Sequence, residues 1–153
     1  MGTTQTHAGS RAARRASRRP QVQHLITADE YSLADLELAL ATLPMCAVGR
    51  VFIEVPEASD IGVITAPPRM TVTWLARTRR GARPRATGEA LRRAAIAWAD
   101  EMLCDESGAG LRTEVILLGG WLSTVDIVDH LTNVRDVPAE AIHAPSRYGL
   151  FSD

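Results

Sequence analysis

The sequence contains no lysine; all 17 of its basic residues are arginine, set against 18 acids for a net charge of −1. A balance so close to zero excludes the strong field that would select nucleic acid or a membrane surface as a partner. Arginine used to the exclusion of lysine reads as the coding bias of a GC-rich genome, not as selection for guanidinium chemistry. Cysteine is scarce as well. Cys46 and Cys104 lie far apart without metal-type spacing, which excludes a disulfide framework and fits two reduced thiols in a cytosolic protein. The histidines His7, His24, His130 and His143 share no ligand spacing with one another or with cysteine, so no metal site is expected. No apolar run approaches the ~18 residues of a membrane span. Arg14 and Arg15 lead into further arginines and not into the apolar segment of an export signal, so the expected location is the cytoplasm. Neither a G-x-S-x-G nor a Walker sequence is present, which removes the usual serine hydrolases and P-loop enzymes.

What is present suffices for a core: 46% of the residues are hydrophobic and 23% charged, ordinary values for one soluble domain. Residues 1–21 hold Arg11, Arg14, Arg15, Arg18 and Arg19 among small polar residues and are expected to be a disordered tail. Such a tail is either a plain solvated leader or a contact for nucleic acid or an acidic partner. Residues 22–153 form the domain. Without the tail's arginines this part is acidic, so nucleic acid is not its expected partner.

Hydrophobic periodicity gives the elements. Residues 22–27 read as a buried strand that turns sharply into a helix beginning near Ser32. Leu33, Leu36, Leu40 and Leu43 form that helix's apolar stripe, Ser32 and Asp35 have capping-box spacing, and Pro44 stops it. Residues 50–55 are β-branched and aromatic with Glu54 the only acid, an interior strand. Residues 56–69 are a loop with a short extended piece at 61–65, and residues 70–75 are the third strand. A helix capped by Thr87 carries Leu91, Ala95, Trp98 and Met102 at helical spacing, with Trp98 expected in the core. After a glycine-rich turn at 107–110, residues 113–118 give the fourth strand. Ser123 and Asp126 repeat the capping-box spacing, and Ile127, Leu131 and Val134 supply the next helix's buried face. A last helical turn follows Asp136 and Pro138, before a fifth strand at 142–144. Alternating strands and helices predict a three-layer, doubly wound α/β fold with a parallel sheet of about five strands in the order 3-2-1-4-5.

Ligands of such folds bind at the carboxyl ends of the strands, and three stretches fall there. The first is the turn Ala28-Asp29-Glu30-Tyr31-Ser32. A phosphate-binding turn needs glycines so that bare N–H groups reach the anion, whereas here two carboxylates would repel a pyrophosphate. The Ser32 hydroxyl and the helix N-terminus remain as donors. The second stretch is the arginine loop after the third strand, with Arg77, Arg79, Arg80, Arg83 and Arg85 in nine residues. An arginine in that place accommodates the 2′-phosphate of a dinucleotide, and Arg77 is the best placed. The third is Gly119-Gly120-Trp121, where glycine permits close approach and Trp121 either stacks on a flat ligand or packs over the sheet edge. Glu54 is expected to be half-buried at this edge and able to cluster with Asp29 and Glu30.

Taken in order, HLITADEYSLADL, RVFIEVPEASD, VTWLAR and the LLGG…DHL segment followed by VPAEAI resemble the C-terminal domain of the siderophore-interacting protein family from about residue 22 to 142. The resemblance implies a ferredoxin-reductase-like domain that receives NADPH or NADH. An N-terminal barrel would hold FAD and pass electrons to a ferric siderophore, releasing iron as Fe(II). It also accounts for the acidic sequence in place of a glycine turn. Of the family's site, Asp29, Glu30, Arg77 and Gly119 carry over directly, Arg147 and Tyr148 loosely. Two features depart from the family pattern. The residues before Val22 are too few for a flavin barrel, and Leu118-Gly119-Gly120 and Ser146-Arg147-Tyr148-Gly149 replace the family's Ala-Gly-Glu and its aromatic–Trp–basic–Gly ending.

The expectation is therefore a stand-alone nicotinamide-nucleotide domain, inactive alone, that serves a separate flavin protein in ferric-siderophore reduction and iron acquisition. Asp29, Glu30, Ser32, Arg77, Arg79, Arg80, Gly119, Gly120 and Trp121 would bind the nucleotide, FAD would be reached only through the partner, and the siderophore only indirectly. The alternative is a non-catalytic interaction or regulatory module with a degenerate reductase fold.

Overall fold

The computed structural model describes residues 21–103 and 111–151. The arginine-rich residues 1–20, Cys104 and the glycine-rich turn at 107–110 lie outside the described residues. Five parallel strands form one sheet in the order β3-β2-β1-β4-β5: β1 (Gln21–Asp29), β2 (Val48–Val55), β3 (Arg69–Ala76), β4 (Leu111–Leu117) and β5 (Ile142–His143). The doubly wound expectation and its strand order hold. Central β1 is paired on both sides, to β2 and to β4, and is buried from Gln23 to Asp29, polar residues included.

Pleating divides the core in two, because successive side chains of a strand point to opposite faces. On one face Leu25, Phe52, Val115 and Leu117 pack under the helices α2 (Glu89–Met102) and α3 (Trp121–Asn133). Trp98 joins this cluster as expected, with Leu91, Ile127 and Leu131. On the other face Ile26, Ala28, Val51, Ile53 and Val55 meet Leu36 and Leu40 of α1 (Leu33–Thr42). Each fully buried leucine or isoleucine contributes roughly 2 kcal/mol.

Several local readings change. The piece at 61–65 pairs with no strand; after a single 3-10 turn at Ala58–Asp60, residues 61–67 have no regular structure. Ile64 and Ala66 from it cover the second core cluster. Val134 is exposed because α3 stops at Asn133, which leaves Val134 as its C-cap. None of the three side-chain caps expected at Ser32, Thr87 and Ser123 forms. Ser32 turns back onto Asp29. At α2 the N-cap is Gly88, in the left-handed region at φ 82°, a conformation that glycine adopts without strain. Ser123 sits inside the first turn of α3, where its hydroxyl donates to the Gly120 carbonyl at 2.9 Å.

Gly49 is required by a closer constraint. It opposes His24 across the β1–β2 ladder, and a Cβ there would lie 2.0 Å from the His24 carbonyl oxygen. Away from the strand edge, Asp100 ties α2 to the end of α3. Its Oδ1 is 2.6 Å from His130 Nε2 and accepts from Arg135 Nε at 2.8 Å and Nη2 at 2.6 Å. The His130 contact, then Arg135, holds the Asp100 carboxyl below the usual carboxylate range.

Candidate functional site at the carboxyl edge of the sheet

The turn from β1 into α1 uses its own groups to close itself. The Ser32 hydroxyl accepts the Asp29 amide at 2.9 Å and donates to Asp29 Oδ1 at 3.1 Å. Asp29 Oδ1 also accepts the Tyr31 amide at 3.0 Å, and the Ser32 amide donates to the Asp29 carbonyl at 3.1 Å. The amides of Asp29, Tyr31 and Ser32, which a glycine turn would offer to a phosphate, are thus taken by the turn's own oxygens. Its Oδ2 remains, facing the position a side chain at Gly120 would take, 3.7 Å away.

Register places Asp29 beside Glu54 on β2, and the same face of the sheet takes both side chains. Glu54 is not half-buried, as expected, but fully buried at 0% exposure. Its carboxylate closes the N-terminus of α2: Oε1 accepts the Gly88 amide at 2.6 Å and Oε2 the Leu91 amide at 2.9 Å. A helix N-terminus carries partial positive charge and unpaired amides, so a carboxylate there is doubly matched. Oε1 also accepts Arg77 Nη1 at 3.2 Å.

Arg77 is the other half of this hub. Its Nη2 bonds Glu30 Oε1, and its Nη1 reaches Glu30 Oε2 at 3.3 Å as well as Glu54. The Glu30 hydrogen bond, opposed by burial and supported by Glu54, raises the Arg77 guanidinium above its ordinary pKa. With the Arg77 side chain 12% exposed, its charge is committed to the chain's own carboxylates. Glu30, Glu54 and Arg77 are brought together as one group, with Asp29 next to Glu54 in the sheet register. Arg79 and Arg80 are not part of it; they lie exposed on the excursion between Arg77 and Arg85, which the Arg85 amide closes by donating to the Arg77 carbonyl at 3.2 Å.

Beside this hub is a cleft of about 220 Å³, predominantly apolar, lined by Asp29, Thr87, Gly88, Leu91, Gly120 and Trp121 with Leu122 and Ser123. Its volume is below that of typical drug-sized sites and is suited to a single ring. Trp121 forms one wall and is 50% exposed. Gly119 is buried under Leu91, whose Cδ2 would be 2.6 Å from a Cβ there. The C-terminal turn Ser146–Tyr148 also reaches this edge: the Tyr148 hydroxyl donates to the Gly119 carbonyl at 2.9 Å, and the Arg147 guanidinium lies 4.9 Å from the Tyr148 ring centroid. The roles of Glu54, Gly88 and Leu91 were missed in the sequence. The sequence places Glu54 at this edge within reach of Asp29 and Glu30, but nothing in it marks the bond to the start of α2.

The model of the siderophore-interacting protein family matches residues 21–144. The chain belongs to the siderophore-interacting protein family. A siderophore utilization protein from T. fusca is similar in structure, with a TM-score of 0.57 and 26% identity over 82% of this chain and 44% of that one. The siderophore-interacting protein SipS from Aeromonas hydrophila shares the fold, with a TM-score of 0.55 and 14% identity over 92% of this chain and 61% of its own. An uncharacterized protein of Mycobacterium tuberculosis is 41% identical over 54 residues, 35% of this chain and 19% of that relative. The chain thus spans less than two thirds of the length of each of these proteins. Membership of this family gives the chain a siderophore-related context. Among the described residues, no helix is long and apolar enough to cross a membrane, and no three of His, Cys, Asp and Glu are grouped to hold a metal ion.

Proposed function

We propose that this siderophore-interacting domain presents a nicotinamide nucleotide to a separate flavin-binding domain, as one component of ferric-siderophore reduction. The observation that carries this reading is the one-ring apolar cleft at the carboxyl ends of β1 and β4, with half-exposed Trp121 as its wall. When bound, the nicotinamide supplies a hydride, two electrons and a proton, to the partner's flavin. The chain's own residues bind and orient. Trp121 would flank the ring, Gly88 and Gly120 would let it approach the backbone, and Asp29 Oδ2 would accept a hydrogen bond from its carboxamide. Leu122, which lines the cleft, and Tyr31, on the turn after β1, are exposed at 69% and 88% and offer apolar surface to a docking domain. With the β1 turn closed by Asp29, the phosphates are left to the loop carrying Arg79 and Arg80, while Ser32 and Arg77 shape the turn and the hub.

The same closed turn favours a second reading, a non-catalytic interaction module that has kept the reductase fold. Fluorescence titration with NADH and NADPH separates the two. Saturable quenching of tryptophan emission that is lost in Trp121→Ala supports the nucleotide-binding reading. No binding of either nucleotide at millimolar concentration rejects it in favour of the module.

A further inference from the structure

Asp29 lines the cleft and is 8% exposed. Its Oδ1 is taken by the Tyr31 amide and the Ser32 hydroxyl, while Oδ2 has no hydrogen-bond partner among the described residues. That free oxygen lies 3.7 Å from where a Cβ at Gly120 would stand, on the cleft wall. Asp29 also has no cation within ion-pair distance among the described residues. Arg77 is committed to Glu30 and Glu54, two acids against one guanidinium. Arg147 does not line the cleft and lies over the Tyr148 ring. The charge opposing Asp29 is only partial: the N-terminus of α3, which begins at Gly120, carries roughly half a unit. The N-terminus of α2 is already met by Glu54. A largely uncompensated carboxylate therefore shares the cleft with Trp121, whose indole attracts cations over its face.

We infer that Asp29 and Trp121 suit the cleft to a positively charged ring, so that it holds the oxidised nucleotide more tightly than the reduced one. This rests on the nucleotide-binding reading above. The dihydropyridine ring of NADH is neutral. When its C4–H bond has given a hydride, one proton and two electrons, to a flavin, the ring that remains is a pyridinium cation. The two forms share their riboses, phosphates and carboxamide, so contacts made there cancel in the comparison. The ring charge is what separates them, and a carboxylate in a partly desolvated wall acts on it strongly. Tighter binding of the oxidised form makes the bound nucleotide a stronger hydride donor. A tenfold difference in affinity corresponds to about 30 mV for a two-electron couple.

The test is isothermal titration of the full 153-residue chain with NAD⁺ and with NADH, repeated on Asp29→Asn. That substitution keeps Oδ1 for the Tyr31 amide and the Ser32 hydroxyl and replaces only Oδ2, so the turn is retained. The wild type should bind NAD⁺ about tenfold more tightly than NADH, the size of one favourable, half-offset charge contact. Asp29→Asn should bring the two within about twofold, chiefly by weakening NAD⁺. A wild type that binds the two alike, or NADH the more tightly, overturns the inference while the nucleotide-binding reading stands, and this comparison needs no variant. So does an Asp29→Asn variant that keeps the wild-type ratio. Failure of every form to bind either nucleotide overturns both.

Discussion

The Oε1 atom of Glu54 lies 2.6 Å from the amide nitrogen of Gly88, so a residue of β2 closes a helix whose N-cap lies 34 residues later. That contact, with the Leu91 amide and Arg77, fixes the floor of the cleft and both ends of the arginine loop to the sheet. Glu54→Gln keeps one acceptor, but it loses the charge facing Arg77 and the helix N-terminus and sets an amide group against donors. A loss of about 3 kcal/mol is expected, the scale of breaking a buried, hydrogen-bonded charge. Urea denaturation of variant and wild type at neutral pH measures it; a difference near zero would show that the hub is not structural.

Thr27 offers a change of opposite sign. It is fully buried, and its hydroxyl has no hydrogen-bond partner among the described residues. Thr27→Val keeps the shape and removes a desolvated polar atom, so a gain of up to about 1 kcal/mol is expected in the same experiment.

The Asp100 tether gives a pH dependence. Its carboxyl is held below the usual range by His130 and Arg135, so the folded state binds its proton more weakly than the unfolded state. The tether's stabilisation is complete above the unfolded carboxylate pKa, about 4, and is lost as pH falls through the lower folded value. Asp100→Asn should therefore be less stable than wild type at pH about 7, and the two should converge in acid. Denaturation midpoints recorded across that range check the sign.

Trp121 separates binding from folding. With half its surface exposed at the start of α3, it contributes little to the core. Trp121→Ala should weaken NADH binding about tenfold, the scale of losing one ring-stacking contact, with little change in thermal midpoint. Calorimetric titration and a thermal melt on the same sample give the two readouts.

The strand order and the faces of the helices were legible in the sequence because they rest on periodicity, which is repeated over many residues. The strand at 50–55 and the stripe through Leu91, Ala95 and Trp98 each carry several agreeing signals. The helix caps were not. Ser32, Thr87 and Ser123 all stand where local preference puts a cap, yet none of the three caps its helix through its side chain. At α2 the amides are satisfied by Glu54, 34 and 37 residues away in sequence, a partner that spacing cannot reveal. The site shows the same limit. The sequence allows Asp29, Glu30 and Glu54 to cluster at the sheet edge, but that Arg77 would be shared by Glu30 and Glu54 depends on the register of three adjacent strands. Tyr148 meets Gly119 only because the C-terminal turn folds back over the sheet edge.

The central claim is that the edge cleft receives a nicotinamide ring, and amide chemical-shift mapping of the full chain during NADH titration tests it most directly. The account predicts saturable shifts at Gly88, Gly119, Gly120 and the Trp121 indole N–H, with the α1 face of the sheet unmoved. An unchanged spectrum at millimolar NADH, or shifts confined to residues away from the ends of β1 and β4, would contradict it.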